Sequence, residues 1–356
     1  MDAKRIDRIF VPVYVALGAV AVISGVPRLG SLLGVGGQYT DTAIHTVLAL
    51  VSLGLLIPGV WWAARSQPVS ATPSRRVDLI RQFRKNRAAV VGFHGVTVMV
   101  LITALAPLLT PHDPIKPELP PYLPPGAAFL LGTDDLGRDV LARCLYGARI
   151  SMTVGIVSVA LSATLGTLVG ALAGFFGGYL DRGLMWVTDV LLAMPRLILL
   201  IVIVGTFRPE GSTRLFLLVT VLGITNWMGV ARIVRSQVLS IKELDYIAAA
   251  RSLGLPQDRI LLRHVLPNVA APIIVYASLA LGGTILTEAS LSFLGLGVPP
   301  PTATWGKMIA DGFDKIHDTP WVVFAPGAFI VCAVVSLNLL GDGLRDAFDP
   351  KLRGRT

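Results

Sequence analysis

Three neighbouring carboxylates, Asp134, Asp135 and Asp139, have Arg138 among them, and a cluster of this kind could hold a calcium ion. Their spacing does not fit an EF-hand, and a turn capping the following helix is the favoured reading. The five histidines, His45, His94, His112, His264 and His317, are scattered, and neither HExxH, GxSxG nor the phosphate-cradling GxxxxGK[ST] occurs. Cys144 lies beside an apolar stretch and Cys332 in the middle of another, so no disulfide framework or thiol–metal site follows. No catalytic set, cofactor site or metal site is expected in this chain. Two other carboxylates, Asp189 and Glu288, fall inside apolar stretches, where a charge at mid-bilayer costs on the order of 2.5–3.5 kcal/mol. They could line a translocation path together with Met194, or be internal hydrogen-bonded pairs or interfacial residues near a span end. Pro195, after Met194, is expected to break or kink its helix, and Gly282-Gly283 would permit close helix approach; either could serve as a hinge.

The elements that must position these residues are set by composition. Of 356 residues, 53% are hydrophobic and 15% charged, with a mean hydropathy of +0.69. A soluble domain of this size does not bury so much apolar surface under so few charges, so the solvent for most of the chain is lipid. The net charge of +9 does not indicate nucleic acid, because the basic residues cluster beside apolar spans. A bilayer core needs roughly 20 apolar residues per helix. Eight segments meet or approach this, at about 10–27, 43–64, 88–110, 150–176, 184–207, 214–234, 269–294 and 322–341. Lys4, Arg5 and Arg8 precede the first, but no clear small-residue cleavage site follows it, so it is read as retained. With both termini on one side, that side carries 21 Lys and Arg and the other 9, with Arg196 inside a span. The asymmetry predicts both termini in the cytoplasm.

The expected organisation is an all-α polytopic membrane protein of about eight transmembrane helices. A two-helix hairpin over 1–66 is followed by a basic cytoplasmic linker over 67–87, a core over 88–341 and a cytoplasmic tail over 342–356. Within the core, 110–147 is expected to be an external loop, since Thr110 to Gly126 carries seven prolines. The stretch 236–268 is expected to be a cytoplasmic loop.

The segment ELDYIAAARSLGLPQDRILLRHVLPN, Glu243 to Asn268, is a charged, helix-favouring insert between two long apolar spans. Its first part is rich in helix formers and ends at Gly254, and Pro256 suits the start of a second helix, which predicts helix, turn, helix. By spacing alone it could be a protruding knob or an amphipathic helix on the membrane surface. Ala248, Ala249 and Ala250, then Gly254 and Leu266-Pro267, resemble the EAA loop of permease subunits of ABC importers. Ala248 stands where that loop's name-giving Glu would be, and His264 where Ile is usual. LGTDDLGRDVLARCLYGARISMTVG (131–155), TEASLSFLGLGVPPPTATWGKMI (287–309) and LNLLGDGLRDAFDPKLR (337–353) resemble the C type of the dipeptide, oligopeptide and nickel permeases. The resemblance covers about 75–353 and leaves out the first 66 residues. It implies an ABC importer permease of the bacterial cytoplasmic membrane with di- or oligopeptides as cargo, and nickel or another chelate as the alternative. It implies partners as well: a homologous B-type permease, two ATPase subunits that hold ATP and Mg, and an extracytoplasmic substrate-binding protein. It assigns ATPase coupling to Tyr246, Ala248, Ala249, Ala250, Gly254, Arg263 and Pro267. An ion-coupled secondary transporter, with Glu288 and Asp189 carrying protons, is the reading from a different class.

Overall fold

The computed structural model describes residues 82–117, 119–207 and 212–348. The expected spans at 10–27 and 43–64, and with them the N-terminal hairpin, lie outside the described residues, as does the end of the tail. The described chain is mostly helical, and its one β-type pairing is an isolated bridge between Thr133 and Asp139. Among the described residues five helices are long and apolar enough to cross a membrane: Arg87–Ala104, Val140–Phe176, Thr213–Ile241, Gln257–Phe293 and Pro320–Phe348. A sixth crossing is formed if Gly178–Ala193 and Arg196–Phe207, bent by 84° at their junction, count as one broken span. These six correspond to the six spans expected after residue 87. Pro195 sits at the break, where its ring and missing N–H stop the helix as its chemistry requires.

By their contacts the described residues fall into two compact units, one up to Ile150 together with the residues from Pro301, the other Ser151–Pro300. In the first, helix α1 (Arg87–Ala104) is capped by Asn86, whose side chain accepts from the Ala89 amide at 3.2 Å and donates to Asp346 at 2.8 Å. The short α2 (Ala106–Leu109) ends at the Pro-rich segment. This segment is held by Arg143, which donates to the Pro114 carbonyl at 3.1 Å, and by the Thr133 hydroxyl, which donates to the Pro120 carbonyl at 3.0 Å. The Asp134 carboxylate in turn accepts from the amides of Leu136 and Arg138 and pairs with the guanidinium groups of Arg138 and Arg143 at 2.7 and 3.1 Å. Gly137, at φ +77°, lies against the Leu119 carbonyl, where a side chain has no room. Asp139 accepts from the Leu141 amide at 3.0 Å and so caps α3 (Val140–Phe176). The cap starts α3 ten residues before the span expected at 150, inside the stretch expected to be loop. The rest of this unit consists of α11 (Trp305–Gly312) and α12 (Pro320–Phe348), with the Trp305 indole donating to the Cys144 carbonyl at 3.0 Å.

The second unit is built on α3, α4 (Gly178–Ala193), α5 (Arg196–Phe207), α6 (Ser212–Ile224), α7 (Trp227–Ile241), α8 (Asp245–Ser252), α9 (Gln257–Ile260) and α10 (Leu266–Phe293). Gly166, Gly170 and Gly174, four residues apart, bring α3 directly onto α7. A Cβ at Gly166 would lie 2.6 Å from the Trp227 carbonyl, one at Gly170 2.9 Å from Val234 Cβ, and one at Gly174 2.9 Å from the Arg235 carbonyl. Small residues at this spacing allow backbones to approach where lipid supplies no hydrophobic drive between helices. Of the Gly282-Gly283 doublet, Gly282 is buried, whereas a Cβ at Gly283 would meet nothing within 4 Å.

Candidate functional site

The 243–268 insert folds as the helix, turn, helix its residues predict. Asp245 in the first turn of α8 and Arg251 in the last complement the helix dipole. Leu253 caps the helix and Gly254 follows at φ +73°. The Gly254 amide donates to the Arg251 carbonyl at 2.9 Å and the Leu255 amide to the Ala250 carbonyl at 3.2 Å. These two bonds are those of a Schellman stop, which places its left-handed residue where glycine carries no Cβ penalty. The stop turns Leu255 back onto the core beneath the helix. Pro256 then caps α9, which leads through a π turn (Leu261–Val265) into α10. In that turn the Leu266 amide bonds to the Leu261 carbonyl, five residues back. Pro267, in the first turn of α10, supplies no amide, so the α-helical bond to the carbonyl of Arg263 is absent.

One face of the insert is buried and the other is open. Ile247, Ala250, Ile260, Leu261, Val265 and Val269 join a core cluster with Ala171 and Phe175 of α3 and Val230, Val234, Val238 and Ile241 of α7. On the open face are Tyr246, Ala248, Ala249, Gly254, Arg263 and Pro267. Of the coupling residues expected from sequence, Ala250 alone points inward. Tyr246 is tied across the insert, accepting at its hydroxyl from Asn268 Nδ2 at 3.3 Å, while the same nitrogen donates to the His264 carbonyl at 2.7 Å. Sequence reading missed Leu253, the most exposed apolar side chain of the knob at 80%, along with Leu244 and Leu262. A leucine just before the stop glycine, among polar neighbours, was the available signal.

The three path candidates are not brought together. Glu288 is wholly buried, accepting from Ser151 at 3.0 Å and from Ser292 at 2.7 Å, so it joins α3 to α10. Asp189 pairs with Arg232 at 2.6 Å, and Asp181, further back on α4, takes Arg235 side-on at 2.5 and 2.6 Å. Two ion pairs thus fasten α4 to α7. Met194 is exposed at the break before α5. Glu288 therefore has buried partners within the chain, whereas the Asp189–Arg232 pair is more than half exposed on both sides.

Comparison with known proteins places this geometry. Residues 166–354 match the family model "binding-protein-dependent transport system inner membrane component", and residues 74–125 match "N-terminal TM domain of oligopeptide transport permease C". The chain is 40% identical over 277 residues to the oligopeptide transport system permease protein OppC of Bacillus subtilis, covering 78% of this chain and 90% of that one. It is 40% identical over 281 residues to OppC of Mycobacterium tuberculosis, covering 79% and 96% of the two chains. With the di/tripeptide transport system permease protein DppC of Pseudomonas aeruginosa, identity is 39% over 298 residues, covering 82% and 97%. On these matches, and on a polytopic helical fold with the knob between its spans, the chain belongs to the inner membrane components of binding-protein-dependent transport systems, the permease subunits of ABC importers, in their oligopeptide and dipeptide C branch.

Proposed function

We propose that this chain is the C-type half of the membrane pathway of an ATP-driven importer for di- or oligopeptides. It pairs with a homologous B-type permease, receives cargo from an extracytoplasmic binding protein, and is driven by two ATPase subunits that hold the ATP and Mg. Both termini and the knob face the cytoplasm in this reading. The observation that carries it is the construction of the knob: an open face on α8 is locked by a Schellman stop, and the second arm runs as one continuous helix, Gln257–Phe293, into a span. Displacement of the open face by an ATPase is then passed to α10 through rigid backbone, rocking the bundle between inward-open and outward-open states. The relatives' names, oligopeptide and di/tripeptide transport permeases, support peptide cargo. The ion-coupled alternative gains nothing from Glu288 and Asp189, each of which already has partners in the chain.

The test uses the assembled importer in proteoliposomes. A cysteine at Ala249 is expected to cross-link to an ATPase subunit, and peptide-loaded binding protein to stimulate ATP hydrolysis. Absence of both cross-link and stimulation would sink the coupling role, and stimulation by metal chelates with none by peptides would move the cargo to that class.

A further inference from the structure

Arg196 is the first residue of α5, immediately after the 84° break, inside the apolar stretch of a span. Its Nε and Nη2 are both buried, and among the described residues neither has a hydrogen-bond partner. These two nitrogens form one edge of the guanidinium, the edge that grips a carboxylate with two parallel bonds. Arg235 shows the same edge filled, with Nε and Nη2 holding the two oxygens of Asp181. Among the described residues of this unit no carboxylate is left for Arg196: Asp181 and Asp189 hold Arg235 and Arg232, Glu288 accepts from two serines, and Glu243, Asp245 and Asp258 lie in the knob. The titratable side chain that acts on Arg196 is the Tyr276 phenol of α10, which is no counter-ion at neutral pH. The first turn of α5 has no acidic residue either, so the positive end of its dipole adds to the same unbalanced charge. A charged side chain within a span is expensive and usually faces a path or a partner, and the N-terminus of a half-helix at a break is where transporters meet anionic groups of their substrates.

We propose that the Nε–Nη2 edge of Arg196 is a cargo site, taking the C-terminal carboxylate of the transported peptide when the break between α4 and α5 opens. The chain covers both nitrogens in this conformation, so the site is closed here, and the Pro195 break is the joint that uncovers it. Occupation by a carboxylate satisfies both donors at once. An amidated C-terminus, lacking the charge and the second equivalent oxygen, does not.

This inference rests on the peptide reading above. The experiment measures uptake of a peptide and its C-terminal amide by the assembled importer in proteoliposomes, using a pair that the binding protein holds with equal affinity. The expected wild-type preference for the free acid is about tenfold or more, the size set by loss of a charge-assisted bond. Arg196→Gln should bring the two rates within about twofold of each other, and Arg196→Lys, which keeps the charge without the fork, should fall between. An unchanged preference in Arg196→Gln overturns the site. So does a variant that no longer assembles with the second permease but is rescued by Arg196→Lys with undiminished preference, because the cation then serves the subunit interface. Failure of the wild type to carry either peptide would count against the peptide reading itself, whereas equal peptide transport by wild type and Arg196→Gln at an equal free-acid preference would remove only this site.

Discussion

Gly254 is the residue on which the shape of the knob depends most directly. A Cβ there would meet nothing within 4 Å, so the cost of a side chain is torsional, roughly 1–2 kcal/mol for holding it in the left-handed region. Gly254→Val is expected to insert in the membrane normally but to lose peptide-stimulated ATP hydrolysis, while Gly254→Asn, which tolerates positive φ, keeps more of it. Stimulation in the valine variant equal to that of wild type would remove Gly254 from the coupling mechanism. Glu288 tests the packing. Replacing it with Leu leaves the Ser151 and Ser292 hydroxyls without their acceptor, at about 1–3 kcal/mol for each group left unsatisfied, whereas Gln keeps an acceptor oxygen. Thermal unfolding in detergent should show a lower midpoint for Glu288→Leu than for Glu288→Gln, and matching midpoints for the Leu variant and wild type would show the carboxylate to be dispensable.

Among the elements, the seam between α3 and α7 offers an internal control. Gly170→Leu drives a side chain into Val234 and the Ala231 carbonyl and should destabilise by about 1–3 kcal/mol, while Gly283→Ala has open space and gains the higher helix propensity of alanine, on the order of 0.5–1 kcal/mol. If the two variants unfold at the same temperature, the glycine seam does not hold the unit together. The same contrast shows what could be read from sequence. Strong local signals were legible: the Gly254 stop, the Pro195 break, the capping aspartate, and the apolar length of each described span. What needed three dimensions was pairing. A Gly-Gly doublet looked like a close approach and its second glycine is open, while glycines at every fourth position of α3, a spacing plainly present in the sequence, make the contact. Asp189 and Glu288 stood out as costly charges in apolar runs, but their partners Arg232 and Ser151 lie 43 and 137 residues away, beyond any local pattern. The apolar pattern marks only the part of α3 from about 150, while the helix itself starts at the Asp139 cap and carries the polar, basic residues between.

For the molecule as a whole, the family models begin at residue 74, and the expected N-terminal hairpin precedes them. A chain starting at Ala71 should still reach the membrane and pull down its ATPase subunits; a truncated chain that inserts but captures none would place the hairpin in the transport core. Its connection to the rest through the basic stretch 67–87 is the reason to expect independence. The π turn at Leu261–Val265 has a different consequence for the assembled machine. A turn closed five residues back holds one residue more than an α turn, and one residue is worth about 100° of rotation about the helix axis. The azimuth of α8 relative to α10 is therefore set by that surplus residue. Deleting one residue between Leu261 and Val265 would let the turn relax to α geometry and swing the open face of the knob by roughly a quarter of a circle. The importer would then be mistimed while every contact surface kept its own chemistry intact.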